Sequence, residues 1–234
     1  MRRCAELSAL YLSREVLLMN KKNIAAAAVS GLEKIYPGAV CSLDYGEPYQ
    51  LMISARLSAQ CTDARVNIVT KELFAKYPTL DSFADADVND IAEIIRPCGL
   101  VAMKSKSIVG MCARVRDVYG GTVPDNMDDL LTLPGIGRKT ANLLLGDIYH
   151  KPAVVADTHC IRISGRLRLT DSKDPKTVED DLRKILDPDK SSDFCHRLVM
   201  FGREYCTARS PKCADCPLRS FLNEADGKFV CRLG

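Results

Sequence analysis

The chain has 234 residues, 47% hydrophobic and 27% charged, a balance that supplies enough apolar side chains for a buried core and excludes disorder as the main state. Its 11 prolines and 14 glycines are too few for a fibrous or low-complexity polymer, and the length allows one large or two small domains. With 33 basic against 30 acidic residues the net charge is +3, so a polyanion-binding surface has to come from local clustering. Eleven cysteines, an odd number and mostly far apart, exclude a fully paired disulfide framework. Residues 1–20 lack a secretory apolar run because Glu6, Arg14 and Glu15 interrupt it, and no stretch approaches the roughly 20 apolar residues of a membrane span. A reducing cytoplasm is expected, with Cys4, Cys41, Cys61, Cys98, Cys112, Cys160 and Cys195 mostly acting as small buried hydrophobes.

In chain order, residues 1–18 precede a second methionine, Met19, and read either as a helical extension or as the product of an incorrectly chosen start. Helical stripes follow at Val66, Val69 and Leu73, then at Ile108, Met111, Cys112, Val115, Val118 and Tyr119, and later at Val178, Leu182, Ile185 and Leu186. Breakers at Tyr77-Pro78, Arg96-Pro97-Cys98-Gly99, Gly120-Gly121 and Asp187-Pro188 divide these into helices of about 10–15 residues, an all-α pattern. Lys104 and Lys106 read as a solvated charged face or, at best, contacts to a nucleic-acid backbone. Only Ala153-Val154-Val155-Ala156 looks extended, and it has no second strand to pair with.

The most informative segment is Leu130-Leu131-Thr132-Leu133-Pro134-Gly135-Ile136-Gly137-Arg138-Lys139-Thr140-Ala141-Asn142. Asp125–Leu131 reads as a short helix with an acidic first turn, Pro134–Gly137 cannot continue it, and Arg138 reopens a helix through Leu143, Leu144 and Leu145. Two glycines one residue apart permit a sharp turn and close approach to a ligand, and free amides opening the second helix suit phosphate. Further on, Cys206-x6-Cys213-x2-Cys216 has the spacing of a metal or cluster site. Arg203, Arg209, Lys212 and Arg219 make its surroundings cationic, which suits a DNA backbone. Cys195-His196 lies outside that spacing and reads as core.

Leu133–Ala141 resemble the helix-hairpin-helix of DNA repair glycosylases, and LPGIGRKTAN together with Val155-Ala156-Asp157-Thr158-His159 is similar to the endonuclease III family, over about residues 36–218. The resemblance implies an all-helical fold: a six-helix barrel domain at 41–151 beside a smaller helical domain built from 1–40 and 152–234, with DNA in the cleft between them. It implies a bifunctional DNA glycosylase/AP lyase of base excision repair, acting in the cytoplasm on the nucleoid as a monomer. Its partner is then double-stranded DNA containing damaged pyrimidines or abasic sites. Lys139, at a helix N-terminus where the dipole and partial burial favour the neutral amine, is the implied nucleophile, and Asp157 the essential acid. Gln60 matches the residue that enters the space vacated by a flipped base, and Leu100 the apolar wedge; from burial statistics alone Leu100 would be core. Gly135, Ile136, Gly137 and Thr140 would contact DNA through the hairpin, and His159 and Arg162 would face phosphates, a structural hydrogen bond being an equal reading for His159.

Adenine-specific relatives carry no lysine at the position of Lys139 and add a large C-terminal recognition domain; this chain has the lysine and ends early, which favours strand nicking over base removal alone. A monofunctional glycosylase and a non-catalytic DNA-binding module are the alternatives. The family's cysteine series, Cys-x6-Cys-x2-Cys-x5-Cys, implies a [4Fe-4S] cluster, but the fourth position is Leu222, which cannot ligate iron. Three arrangements stay open: Cys231 loops back as a ligand, three cysteines bind with an exogenous ligand, or the cluster is lost. A retained cluster is the expectation, with zinc the inorganic alternative.

Overall fold

The structure, a computed structural model, describes residues 2–226, 229, 231 and 232, with side chains from residue 17 onward; the side chain of Cys4 lies outside the described residues. The described residues are helical and contain no strand, as the sequence pattern implied. The chain divides into two compact units, Cys41–Lys151 (the middle unit) and Met1–Val40 with Pro152–Gly234 (the terminal unit). The terminal unit opens with α1 (Arg2–Ile35). The middle unit holds α2 (Pro48–Leu57), α3 (Asp63–Lys76), α4 (Leu80–Ala84), α5 (Val88–Ile94), α6 (Val101–Tyr119), α7 (Met127–Leu130) and α8 (Arg138–Asp147). The terminal unit resumes with α9 (Thr158–Arg166), α10 (Pro175–Arg183), α11 (Ser191–Glu204) and α12 (Arg219–Asp226).

Local chemistry sets most helix starts. Pro48 begins α2 behind a capping box of Glu47 and Gln50, Thr62 caps α3, Thr79 and Ser82 box the start of α4, and Asp87 and Asp174 cap α5 and α10. Helix α7 starts later than expected, at Met127, because the Asn126 side chain accepts from the Asp129 amide at 3.0 Å. Helix α1 runs 34 residues, far beyond 10–15, since no proline or glycine interrupts it before Gly31.

In the middle unit the expected stripes are buried: Val66, Val69 and Leu73 on α3, and Ile108, Met111, Cys112 and Val115 on α6. Val118 departs from its expected place, being 57% exposed, because Tyr119 takes the inward position one residue later. Phe83 is fully buried among Tyr49, Phe74 and Tyr77, and burying such a ring contributes roughly 1.5–3 kcal/mol. In the terminal unit, α1 buries Ile24, Ala25, Ala28, Val29 and Leu32 and packs on α11 and α12. Ile185 and Leu186 lie past the end of α10 yet are buried. Segment Ala153–Ala156 is buried and lies in no helix or strand. Its amides bond instead to side chains of α11, Ala153 to Ser191 Oγ at 3.0 Å and Val155 to Cys195 Sγ at 3.3 Å. That contact accounts for Cys195 as core.

Candidate functional site

The hairpin between α7 and α8 is pinned from inside by Leu133 and Ile136, 2% and 6% exposed, and closed by the Ile136 amide on the Leu133 carbonyl at 3.1 Å. Ile136 is thus a buried anchor, and its side chain is not on the surface where a DNA contact was expected; the outward elements are the backbone of Gly135 and Gly137. Gly137 is the N-cap of α8, contributes no capping side chain, and no acidic residue stands in the first turn. The opening amides therefore keep their positive end toward an incoming anion. Thr140 is half-buried in that turn.

Gly135 has φ +80°, and a Cβ there would lie 2.7 Å from Arg56 Nε and 2.8 Å from Ser107. Both the conformation and the space demand glycine. Gly135→Ala is expected to lower stability by more than about 1 kcal/mol and to weaken duplex DNA binding, as checked by thermal denaturation and a fluorescence-anisotropy titration.

Lys139 follows in the same first turn, and it is exposed. The partial burial expected of it is not found, since its side chain leaves the helix toward solvent while Ala141, Leu144 and Leu145 form the buried face.

Two other loops of the middle unit carry non-glycine residues in the left-handed region, Gln60 at φ 57° and Leu100 at φ 50°. Such strain persists only where surrounding structure enforces it, and it clusters at functional sites. Gln60 is exposed, and Leu100, 42% exposed at the start of α6, is not the core residue that burial statistics gave. What enforces both loops is Lys104. It is fully buried, and its Nζ donates to the Leu57 and Cys98 carbonyls, each at 2.8 Å, tying the chain just before Gln60 to the chain just before Leu100. Burial pulls its ammonium below the ordinary lysine range.

The surface role read for Lys104 is therefore corrected, while Lys106 is exposed. The signal was present in the sequence: Lys104 stands four residues before Ile108, on the apolar stripe itself. Lys104→Met removes the donor from two carbonyls and is expected to cost about 2–4 kcal/mol, read as a lowered denaturation midpoint.

In the terminal unit Asp157 is the half-buried N-cap of α9, its Oδ1 accepting from the Cys160 amide at 2.7 Å. His159 and Arg162 stand on that helix, with Arg162 Nη2 at 3.1 Å from His159 Nδ1. Arg162 does not offer its guanidinium to phosphate, because it donates to the carbonyls of Cys206, Gly202 and Thr158. For His159 this contact matches the structural reading. Gly202 makes the arrangement possible, since a Cβ there would stand 2.3 Å from His159 Nδ1.

One turn on, Arg166 bonds Cys206 Sγ at 3.2 Å and the carbonyls of Cys206, Thr207 and Ala208. The sequence reading missed Arg166 as an anchor of the cysteine loop. Its only trace was the four-residue interval from Arg162 on an amphipathic helix.

That loop surrounds a cavity of about 380 Å³ lined by Cys206, Cys213, Cys216 and Cys231 together with apolar groups such as Phe201 and Leu222. The thiols thus share one largely apolar space, and Arg166 supplies a donor to sulfur. Among the described residues no three His, Cys, Asp or Glu converge as a single ion would require. Four cysteines on one cavity wall are the donor set that an iron–sulfur centre takes. Arg203, Arg209, Lys212 and Arg219 are exposed around the loop, and Arg219 also donates to the Cys213 carbonyl at 2.8 Å.

Residues 53–188 match the HhH-GPD superfamily base excision DNA repair protein, and residues 206–221 the iron-sulfur binding domain of endonuclease III. Endonuclease III of Synechocystis is 43% identical over 86% of this chain and 92% of its own length. The chain belongs to the endonuclease III family.

Endonuclease III of Bacillus subtilis is 41% identical over 82% of this chain and 90% of its own. A solved structure of a trapped endonuclease III–DNA covalent intermediate superposes with a TM-score of 0.81 at 38% identity, covering 90% of this chain and 95% of that one. As a member of the endonuclease III family, the protein is a base excision repair DNA glycosylase and AP lyase with a [4Fe-4S] cluster. It binds DNA, and no helix among the described residues is long and apolar enough to cross a membrane.

Proposed function

We propose that this member of the endonuclease III family excises oxidised pyrimidines from duplex DNA as a nucleoid-associated monomer, with Lys139 as nucleophile and Asp157 as the assisting carboxylate. The observation that carries the reading is the exposed primary amine of Lys139, one residue into the helix that the hairpin opens. Gly135, Gly137 and the first-turn amides with Thr140 hold a phosphate of the strand, which fixes the register of the chain on DNA. Gln60 and Leu100, on their two strained loops, fill the duplex when the damaged nucleotide is extruded.

Lys139 Nζ attacks C1′ as the neutral amine, and the glycosylic bond breaks with its electron pair leaving on the base. The Asp157 carboxylate takes the proton that the attacking amine sheds, stabilises the cationic sugar, and passes that proton on to the departing base. The nitrogen lone pair then opens the C1′–O4′ bond, whose electron pair leaves on O4′ and takes a proton from water, giving a protonated Schiff base between Nζ and C1′. Loss of a proton from C2′ then forms the C2′–C3′ double bond and expels the 3′ phosphate with the C3′–O electron pair. Water hydrolyses the imine and frees Lys139. Cys206, Cys213 and Cys216 would hold the cluster, which when bound would supply iron–thiolate cross-links to the loop.

The test is a panel of duplexes bearing an oxidised pyrimidine, an oxidised purine, an abasic site or no lesion. Nicking is expected at the first and third, with free base released from the first. Breaks that appear only after alkali would instead indicate a monofunctional glycosylase, and binding with no cleavage a non-catalytic module. Preferential release of the purine would overturn the substrate assignment.

A further inference from the structure

The iron-sulfur domain match ends at residue 221 and contains three cysteines, Cys206, Cys213 and Cys216, whereas a [4Fe-4S] cluster is ordinarily held by four thiolates. The fourth cysteine on the wall of the same cavity is Cys231, fourteen intervening residues beyond Cys216 and past the end of α12. Resting on the assignment of the cluster itself, we propose that Cys231 is the fourth ligand, held at the cavity by the contacts of Phe229 and Arg232.

The hold is built from specific contacts. The Arg232 amide donates to the Arg166 carbonyl at 2.8 Å, so the residue after Cys231 is hydrogen-bonded to the last residue of α9. Arg166 is the same residue whose guanidinium donates to Cys206 Sγ, so one residue bonds both the first thiol of the series and the backbone next to Cys231. The Arg232 side chain pairs with Asp171. Ahead of Cys231, the Phe229 amide donates to Asn223 Oδ1 at 3.0 Å, and the Phe229 ring lies 6.0 Å from the Arg168 guanidinium. Both sides of Cys231 are thereby tied to the terminal unit.

Leu222 is 1% exposed and forms apolar wall, so helix α12 brings a hydrophobic side chain to the cavity and the tail brings sulfur. Ligation replaces the Cys231 S–H bond by an S–Fe bond, and the proton leaves to solvent.

The experiment uses the full-length protein purified without oxygen. In the iron-loaded chain, alkylation by iodoacetamide followed by peptide mass spectrometry is expected to leave Cys206, Cys213, Cys216 and Cys231 protected together, while half-exposed Cys61 reacts; removing iron should release all four. Cys231 reactivity that is unchanged by iron removal overturns the proposal. Cys231→Ser should lower iron from about four toward about three per chain and yield a three-iron EPR signal on oxidation; adding Leu222→Cys to that variant should restore the four-iron spectrum. A serine variant with unaltered iron content and spectrum also overturns it. A wild-type chain that takes up no iron and sulfide under anaerobic reconstitution removes the cluster assignment instead, a result distinct from either.

Discussion

Lys139→Ala is expected to abolish the covalent adduct that borohydride traps with a damaged duplex and to lower strand cleavage on the order of 10³-fold or more, since without the amine there is no Schiff base to reduce or to eliminate from. The fold should be untouched. Lys139 is exposed, and a change at such a position ordinarily alters stability by no more than about 0.5 kcal/mol. Lys139→Arg separates charge from nucleophilicity: the guanidinium keeps the attraction to phosphate but stays protonated. It should bind duplex DNA with near wild-type affinity and salt dependence yet form no adduct. The measurements are denaturing gel analysis of the reduced complex, single-turnover cleavage and thermal denaturation. An alanine variant that still cross-links and cuts would remove Lys139 from the mechanism.

The second large effect concerns Asp157, which does two things in the structure and in the proposed chemistry. Its Oδ1 caps α9 through the Cys160 amide, and its carboxylate is the group assigned to proton transfer and sugar stabilisation. Asparagine caps a helix about as well as aspartate, so Asp157→Asn should hold the denaturation midpoint nearly constant while removing the negative charge. Base release is expected to fall by about 10²- to 10⁴-fold, the range for general acid–base assistance. Asp157→Ala should show the same kinetic loss together with a further drop in stability of about 1 kcal/mol from the missing cap. Should the asparagine variant release base at the wild-type rate, the residue is a cap alone.

Much of the fold was legible because the signals were local. The stripe Val66, Val69, Leu73 and the breakers Gly120-Gly121 and Asp187-Pro188 depend on neighbours in sequence, and they gave helices where helices stand. The hairpin was equally legible, since a proline and two glycines at fixed offsets leave few backbone paths. Lys104 was misread even though its register on α6 placed it among Ile108 and Val115. A charged side chain is assigned to solvent unless acceptors are known, and its two acceptors, the Leu57 and Cys98 carbonyls, come from separate loops. Arg162 failed for the same reason, because the carbonyls that occupy it belong to Gly202 and Cys206, some forty residues away. Leu100 was ambiguous until φ 50° and its exposure appeared.

By itself the sequence determined the helical class, the phosphate-ready corner at Gly135–Gly137, the amine that follows it, and three cysteines in cluster spacing, because each is fixed by residue type over a short interval. Only the tertiary structure decided that Ile136 turns inward, that a buried lysine clamps the two strained loops, and that Cys231 lines the cavity of the other three thiols. These facts depend on which distant carbonyls and side chains meet, and chain closure over tens of residues leaves no mark in local composition.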